Sequence, residues 1–350
     1  MATLTQPPPG SPAPSAAPRG GEERGPWSPE AAIEARGAGK RFDDEWVVRN
    51  LDFTVERGAI FGLFGPSGSG KTTTIRLLLG LLGADEGEIR VLGTSPRRFR
   101  ARTRGRIGYM PQLFVLYPEL SVMDNLNLVA SLYGMGWLKR RKPMRRVLEF
   151  VELWDHRRKT ASELSGGMKR RLELATALVH TPDLIVVDEP TAGVDPILRS
   201  KFWDHFHELR DAGRTVFVTS QYVTEAQYCD KVAFLGRGEL VAVGTPDEIR
   251  RRAVGGEIVE VLAGDLSERH VQLLGSLDGL AVKKVRRVYD DQGRLARLQL
   301  TVDQAGPAIP RILAALRDSG ARVQQVQEYR PNFDEVFVLL MEQSHVASVE

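Results

Sequence analysis

Residues 65–72 read Gly65-Pro66-Ser67-Gly68-Ser69-Gly70-Lys71-Thr72 and match the phosphate-loop pattern G-x-x-x-x-G-K-[ST] at every fixed position. The stretch 59–64 before them has the character of a buried strand, and the stretch 73–79 after them that of an amphipathic helix. Glycines allow backbone N–H groups to surround phosphate oxygens, and the helix N-terminus adds partial positive charge. We expect Lys71 to reach the β- and γ-phosphates, Thr72 to ligate Mg²⁺, and Thr73 to complete the loop. The stretch therefore predicts nucleotide binding.

Bulk composition limits the classes of protein that this chain can be. A length of 350 residues suggests about two domains, and a net charge of +3 is too small to imply a nucleic-acid partner. The single cysteine, Cys229, excludes an internal disulfide and suits a reducing compartment. Outside the Pro-rich tail, the longest uncharged run is Asn125–Leu138, whose 14 residues are too few to span a bilayer. No apolar secretory segment occurs at the N-terminus. We expect a soluble chain that reaches a membrane only through a partner.

The chain divides into three parts by composition. Residues 1–28 are rich in Pro, Ala, Gly and Ser and predict a disordered tail. Strands alternate with helices over 31–252, which predicts an α/β domain with a largely parallel sheet. After Gly255-Gly256, residues 256–345 predict a small α+β domain. Its order, β-α-β-β-α-β, is that of a ferredoxin-like fold, with a last helix from about Phe333 outside that order.

An Asp-Glu pair follows a continuous apolar run, Leu184–Val187. A carboxylate at the end of a buried strand is costly unless a cation compensates, so Asp188 is a candidate ligand of Mg²⁺. Glu189 beside it is placed to orient or deprotonate an attacking water. A simple polar loop is the alternative interpretation of the pair, and the phosphate loop upstream makes it the weaker one.

Further motifs occur in the order that one ATPase family uses. They are Gln112 after Tyr109-Met110-Pro111, Leu164-Ser165-Gly166-Gly167-Met168-Lys169, Leu184–Glu189, and Gly193-Val194-Asp195. These resemble, in turn, the glutamine loop, the signature motif, the Walker B strand and the D-loop of ATP-binding-cassette proteins. Over about residues 33–250 the chain is therefore similar to an ABC transporter nucleotide-binding subunit. The resemblance implies a P-loop NTPase cassette with a mostly parallel sheet, additional antiparallel strands and a helical subdomain at about 113–180.

The same resemblance implies roles for residues outside the phosphate loop. Gln112 would contact Mg²⁺ and the attacking water. Ser165, Gly166 and Gly167 would bind the γ-phosphate of an ATP held by a second subunit, which implies a two-fold symmetric dimer with two sandwiched ATP molecules. Phe42 lies where the family places an aromatic ring against adenine, although a core residue at the end of a strand is nearly as good an interpretation.

Two positions depart from the family pattern. Met168 replaces the usual Gln of the signature but leaves the Ser and both glycines in place. Gln221 follows the strand 215–220 where the family has His. A Gln amide can donate a hydrogen bond to a γ-phosphate but cannot carry a titratable proton. We therefore expect an active ATPase in which Glu189 is the principal catalytic group and Gln221 assists.

The C-terminal stretch Pro331–Leu339 looks like the closing motif of the daunorubicin-type ABC exporter subfamily; the alternative interpretation is an amphipathic terminal helix, and both can hold at once. The resemblance implies an ATPase subunit of an ABC-2-type exporter, peripheral on the cytoplasmic face of the cell membrane. Its partners would be a separate membrane permease, docking near residues 113–140, and a second copy or a paralogous ATPase subunit. The permease would export a drug, a lipid or another small amphiphile. The alternatives are a soluble ABC ATPase not coupled to transport and an ATP-binding module with weak hydrolysis.

Overall fold

The computed structural model describes residues 26–277 and 280–346, so most of the predicted tail, residues 1–25, lies outside the described part. The last residues of that tail pack on the domain that follows. The ring of Trp27 contacts the guanidinium groups of Arg36 and Arg90, which lie 4.1 and 4.5 Å from its centroid.

The strands found in the described residues are numbered along the chain. Their bounds are β1 Ala31–Phe42, β2 Glu45–Glu56, β3 Ile60–Phe64, β4 Glu86–Val91, β5 Ile107–Met110, β6 Leu184–Asp188, β7 Thr215–Ser220, β8 Lys231–Gly236, β9 Glu239–Gly244, β10 Glu257–Ala263, β11 Lys284–Tyr289, β12 Leu295–Val302 and β13 Val323–Tyr329.

Helices are numbered in the same way. The α-helices are α1 Lys71–Leu78, α2 Ala101–Arg104, α3 Val122–Leu132, α4 Trp137–Phe150, α5 Gly166–Leu178, α6 Pro196–Asp211, α7 Pro246–Val254, α8 Glu268–Gly275, α9 Ala305–Asp318 and α10 Phe333–Val346. Short 3₁₀ helices lie at Pro96–Arg98, Trp154–His156, Ala161–Glu163 and Val223–Tyr228.

A six-stranded sheet of order β5-β6-β7-β3-β8-β9 is the centre of the first domain, and only β9 pairs antiparallel. The second sheet, β2-β1-β4, is antiparallel. Strands β6 and β7 have the predicted bounds because every residue in them is buried, as the interior of a parallel sheet requires. The carboxyl ends of β3, β6 and β7 meet at one edge, where the phosphate loop, Glu189 and Gln221 follow them.

The hairpin β8–β9 was not predicted from the sequence. Its two-residue turn, Arg237-Gly238, has positive φ at both positions, 50° and 83°. Such turns match the twist of paired strands but usually contain Asn-Gly or Asp-Gly, so an Arg at the first position hides the signal.

The C-terminal sheet is antiparallel with the order β11-β12-β10-β13. Helices α8 and α9 cover one of its faces, where Val259, Leu298 and Ile312 belong to a separate buried cluster. The chain order β-α-β-β-α-β is as predicted, and the two central strands, β10 and β12, are the first and third of the domain, as in a ferredoxin-like sheet. The domain bounds at 252 and 256 stay a prediction, although α7 ends at Gly255 in the left-handed conformation.

The last helix, α10, returns to the first domain. Phe333, Val336 and Leu340 join the buried cluster that lies beneath the six-stranded sheet, and the ring of Phe333 is 6.1 Å from that of Phe234. Gln343 also donates a hydrogen bond to the carbonyl of Ala253 at 2.9 Å. By its contacts, α10 therefore stabilises the first domain.

We expect Val336→Ala to lower the free energy of unfolding by about 2 kcal/mol, because it removes two buried methyl groups from this cluster. Val338→Ala, on the same helix, is the matched control, since Val338 is 54% exposed. Its effect should stay within about 0.5 kcal/mol. Urea unfolding followed by circular dichroism measures both variants, and equal losses would show that α10 does not pack as described.

Candidate functional site: the cleft at the carboxyl edge of the central sheet

The phosphate loop turns tightly between β3 and α1. Gly70 has φ 105°, and a Cβ at this position would lie 2.9 Å from the carbonyl oxygen of Val47. Only glycine tolerates both constraints. The loop lines a cavity of about 260 Å³ together with residues from β2 and from the ends of the central strands. The lining residues are Val47, Ser67, Gly68, Gly70, Lys71, Thr72, Thr73, Gln112 and Glu189.

Lys71 is buried at the first position of α1 and makes three short contacts. Its Nζ donates to the carbonyl oxygens of Gly65 and Pro66 at 2.8 and 3.1 Å, and it lies 3.1 Å from Oε1 of Glu189. Lys71, expected to reach the γ-phosphate, and Glu189, expected to act on the attacking water, therefore form a direct ion pair. Ser69, which is also buried, lies beside Gly65.

Asp188 is buried at the end of β6, and its two oxygens have different partners. Thr219 donates to Oδ1 at 2.6 Å, and Thr72 donates to Oδ2 at 3.1 Å. Burial raises the pKa of the Asp188 carboxyl, whereas these two hydrogen bonds and Lys71 lower it. A hydroxyl oxygen next to a carboxylate oxygen is a hard donor set that fits Mg²⁺, which is usually held by one or two protein groups and by phosphates.

Glu189 has an unusual backbone. Its φ is 47°, in the left-handed region that residues other than Gly, Asn and Asp seldom occupy. The Glu189 N–H donates to Oγ1 and to the carbonyl oxygen of Thr219, both at 3.1 Å, so the neighbouring strand maintains this conformation. Strain of this kind concentrates at functional sites, and here it turns the carboxylate toward the cleft.

The two glutamines follow different strands of the central sheet, Gln112 after β5 and Gln221 after β7. Gln112 Nε2 donates to Oε2 of Glu189 at 3.1 Å, so its observed partner is the carboxylate and not Thr72 or Asp188. The hydroxyl of Ser67 donates to Oε1 of Gln221 at 3.3 Å. Both amides are thus adjacent to the phosphate loop.

The signature residues do not line this cleft. Ser165 caps α5 by accepting a hydrogen bond from the N–H of Met168 at 3.3 Å, and Ser165 and Gly166 are exposed. Gly167 lies against Leu198 of α6. Phe42 is 45% exposed at the end of β1, with the ammonium group of Lys40 5.4 Å from its ring centroid. That exposure argues against a core role for Phe42.

Arg170 is a functional candidate that sequence reasoning missed. It is buried in α5 and donates to Oε2 of Glu173 at 2.8 Å. Its other hydrogen bonds reach the backbone carbonyls of Pro111, Gln112, Asp188, Glu189 and Pro190, at 2.8–3.3 Å. One guanidinium therefore joins the signature helix, the glutamine loop and the end of β6.

A signal for Arg170 was present in the sequence. The helix after Ser165 shows an apolar stripe at Met168, Leu172 and Ala175, but a second stripe runs from Arg170 to Leu174 and Ala177. A charged residue at the head of a buried stripe must find internal partners, because a buried charge without them is strongly unfavourable.

Comparisons with known proteins agree with this geometry. Residues 48–192 match the ABC transporter family, and residues 244–341 match the C-terminal domain of DrrA1-3-like ATP-binding proteins. The daunorubicin resistance ATP-binding protein DrrA3 of Streptomyces coeruleorubidus is 38% identical over 314 residues, which cover 89% of this chain and 96% of that protein.

Two further comparisons cover the first domain. The probable multidrug ABC transporter ATP-binding protein YbhF of Escherichia coli is 39% identical over 228 residues, 65% of this chain. The matched region spans only 39% of that relative's length. A dimeric ATP-binding cassette in a post-hydrolysis state, bound to ADP and phosphate, superposes with a TM-score of 0.56 at 25% identity, over 61% of this chain and 98% of that one. The phosphate loop, the paired Lys71 and Glu189, and these similarities together establish that the chain belongs to the ATP-binding subunits of ABC transporters.

Proposed function

We propose that this chain binds ATP with Mg²⁺ and hydrolyses it as the ATPase subunit of an ABC-2-type exporter, powering a separate membrane permease. The observation that carries the proposal is the convergence of Lys71, Gln112 and Glu189 on one cleft beside the Thr72–Asp188 pair. The match of residues 244–341 to the DrrA1-3-like domain supports the exporter class. The name of the Streptomyces relative, daunorubicin resistance protein, favours a drug, a lipid or another small amphiphile as the cargo.

In the proposed reaction, the loop N–H groups and Lys71 bind the β- and γ-phosphates and balance their charge. The Thr72 hydroxyl and the Asp188 carboxylate oxygen beside it would hold Mg²⁺, which would supply further positive charge next to the phosphates. Phosphate oxygens would compete with Glu189 for the Lys71 ammonium. Glu189 would then orient and deprotonate the attacking water, with Gln112 fixing the position of the carboxylate and Gln221 donating to the γ-phosphate.

The second half of the site would come from another subunit. Ser165, Gly166 and Gly167 are exposed or half-buried and lie outside the cleft of their own chain. We propose that they bind the ATP of a second copy or of a paralogous subunit, which makes ATP part of the dimer interface. The dimeric cassette with ADP and phosphate supports such an arrangement. The exposed ring of Phe42 would stack on the adenine.

The permease contact would lie on an exposed apolar patch next to the glutamine loop. No helix within residues 26–277 and 280–346 is long and apolar enough to cross a membrane. Two stretches carry large apolar side chains that are 41–78% exposed: Leu113, Phe114, Val115 and Tyr117 in the first, and Leu132, Trp137 and Leu138 in the second. Exposed apolar patches of this kind mark interaction sites. Its position beside Gln112 would couple the permease to the nucleotide, at the cytoplasmic face of the membrane.

Steady-state ATP hydrolysis by the purified chain tests the proposal, with and without membranes that contain the permease encoded by a neighbouring gene. We expect hydrolysis that is lost on chelation of Mg²⁺, and a chain that binds membranes only when the permease is present. Hydrolysis with no binding to such membranes would indicate a soluble ATPase. Nucleotide binding without turnover in either condition would indicate an ATP-binding module.

A further inference from the structure

Arg199 lies in the first turn of α6 and contacts two residues that follow β7. Its guanidinium carbon is 4.4 Å from the ring centroid of Tyr222, which is the distance of a cation–π contact. Its Nε lies 3.5 Å from Oε1 of Glu225 in the 3₁₀ helix Val223–Tyr228. Tyr222 directly follows Gln221. A single arginine therefore holds the segment that begins with Gln221 at two points.

Glu225 is the buried partner in this contact. The residue is only 1% exposed, and burial raises the pKa of its carboxyl. Ser220, Thr191 and Trp203 lie near the carboxyl and lower that pKa, as Arg199 does. Within the described residues, however, neither carboxyl oxygen has a hydrogen bond of ordinary geometry. A buried carboxylate is costly without a cation, so the Arg199–Glu225 pair is under strong pressure to stay together.

Arg199 belongs to the helix that follows one segment of the cleft and contacts residues of another. Helix α6 begins after Asp195, whose Oδ1 caps it by accepting from the N–H of Leu198 at 3.0 Å. The chain between Glu189 and Asp195 connects β6 to this helix. Arg199 therefore links the segment that follows Glu189 to the segment that contains Gln221.

The contact between Gln221 and the phosphate loop is weak. It is exposed, and its contact with the hydroxyl of Ser67 is long for an O–H···O hydrogen bond, at 3.3 Å. Such a contact does not immobilise a surface loop. The orientation of Gln221 then depends on its chain neighbours: Ser220, whose Oγ accepts from the Tyr222 N–H at 3.0 Å, and the segment that begins with Tyr222.

We propose that Arg199 is a positioning residue for ATP hydrolysis, which fixes the Gln221 loop against the phosphate loop through Tyr222 and Glu225. The inference rests on the proposed ATPase function and adds a residue that does not line the phosphate-loop cavity. Misplacement of a catalytic group by about 1 Å lowers rates by up to about 100-fold, so loss of the restraint should affect turnover and not nucleotide affinity.

Steady-state kinetics of the full chain gives the first test. Arg199→Met should lower kcat about tenfold and leave the KM for ATP within about twofold. Lys201→Met is the matched control, because Lys201 lies on the same helix but pairs with Glu152, and we expect its kcat to be unchanged. Tyr222→Ala should reproduce the loss, whereas Tyr222→Phe keeps the ring that Arg199 contacts and should retain wild-type turnover. In a Gln221→Ala background, Arg199→Met should have no further effect.

Hydrogen exchange of the amides of residues 219–223 tests the positioning independently of turnover. Arg199→Met should accelerate this exchange about tenfold, and Lys201→Met should not. Unchanged exchange in Arg199→Met overturns the proposal, as does an undiminished kinetic effect in the Gln221→Ala background. If the wild-type chain hydrolyses no ATP, the proposed function fails, and the exchange measurement alone decides whether Arg199 positions the loop.

Discussion

Glu189→Gln should lower kcat for ATP hydrolysis by about 10² to 10⁴, the usual contribution of a general base. The amide keeps the size of the side chain but cannot take a proton from water. It also removes the ion pair with Lys71, whose Nζ lies 3.1 Å from the carboxylate, so Lys71 becomes more available to phosphates. We therefore expect ATP affinity to be kept or increased and the ATP-bound dimer to accumulate. Steady-state hydrolysis, nucleotide titration and size-exclusion chromatography measure the three quantities.

Glu239→Gln, at an exposed position at the start of β9, is the control for removal of one carboxylate. Its turnover should equal that of the wild type.

Gln221→Ala should cause a smaller loss of turnover than Glu189→Gln. Full turnover in Glu189→Gln together with complete loss in Gln221→Ala would reverse the two roles and contradict the mechanism.

Arg170→Met should destabilise the chain by about 3–5 kcal/mol, because breaking a buried ion pair from one side leaves the other charge uncompensated. Glu173, the partner, is 1% exposed. The variant also deprives the backbone carbonyls of the glutamine loop and of the β6 end of their donor. Urea unfolding monitored by circular dichroism measures the loss. Arg171→Met is the control on the same helix, since Arg171 pairs with a half-exposed Glu152 and should contribute less than about 1 kcal/mol.

The Arg170→Met deficit should also grow as the pH rises. Burial raises the pKa of Glu173, whereas Arg170 and the N–H of Val115 lower it. Without Arg170 the folded state keeps a proton on Glu173 that the unfolded state releases above its ordinary pKa. Stability then falls with increasing pH through that range. Unfolding at pH 5 and at pH 8 measures the difference, and a pH-independent deficit would mean that Glu173 stays ionised in the variant.

Much of the fold is readable from local patterns. Helix α7 begins at Pro246 after the capping pair Thr245 and Glu248, a combination typical of a helix N-terminus. Strands β6 and β7 are predictable because burial on both faces demands continuous apolar runs. The hairpin β8–β9 was missed because its turn uses an arginine at positive φ, and no rule of turn composition selects that residue.

The residues of the candidate site also divide into those that local sequence patterns predict and those that they do not. The loop 65–72 and the pair Asp188-Glu189 are contiguous in the chain, and their chemistry depends on backbone N–H groups and strand ends that a short motif specifies. The partners Thr219 and Arg170 lie close in sequence to recognised motifs, but the atoms that they contact belong to distant segments of the chain. Their roles follow only from the pairing of β6 with β7 and from the packing of α5.

The amino-acid sequence by itself thus determined the family, the phosphate-binding loop and the candidate acid residues, because these are local patterns of residue type and spacing. Tertiary structure alone decided that Lys71 pairs with Glu189 and that α10 packs on the first domain. It also decided that the signature residues stay outside the cleft of their own chain. Each of these depends on which buried charge or apolar face finds a partner many residues away, and that is settled by the packing of the whole chain.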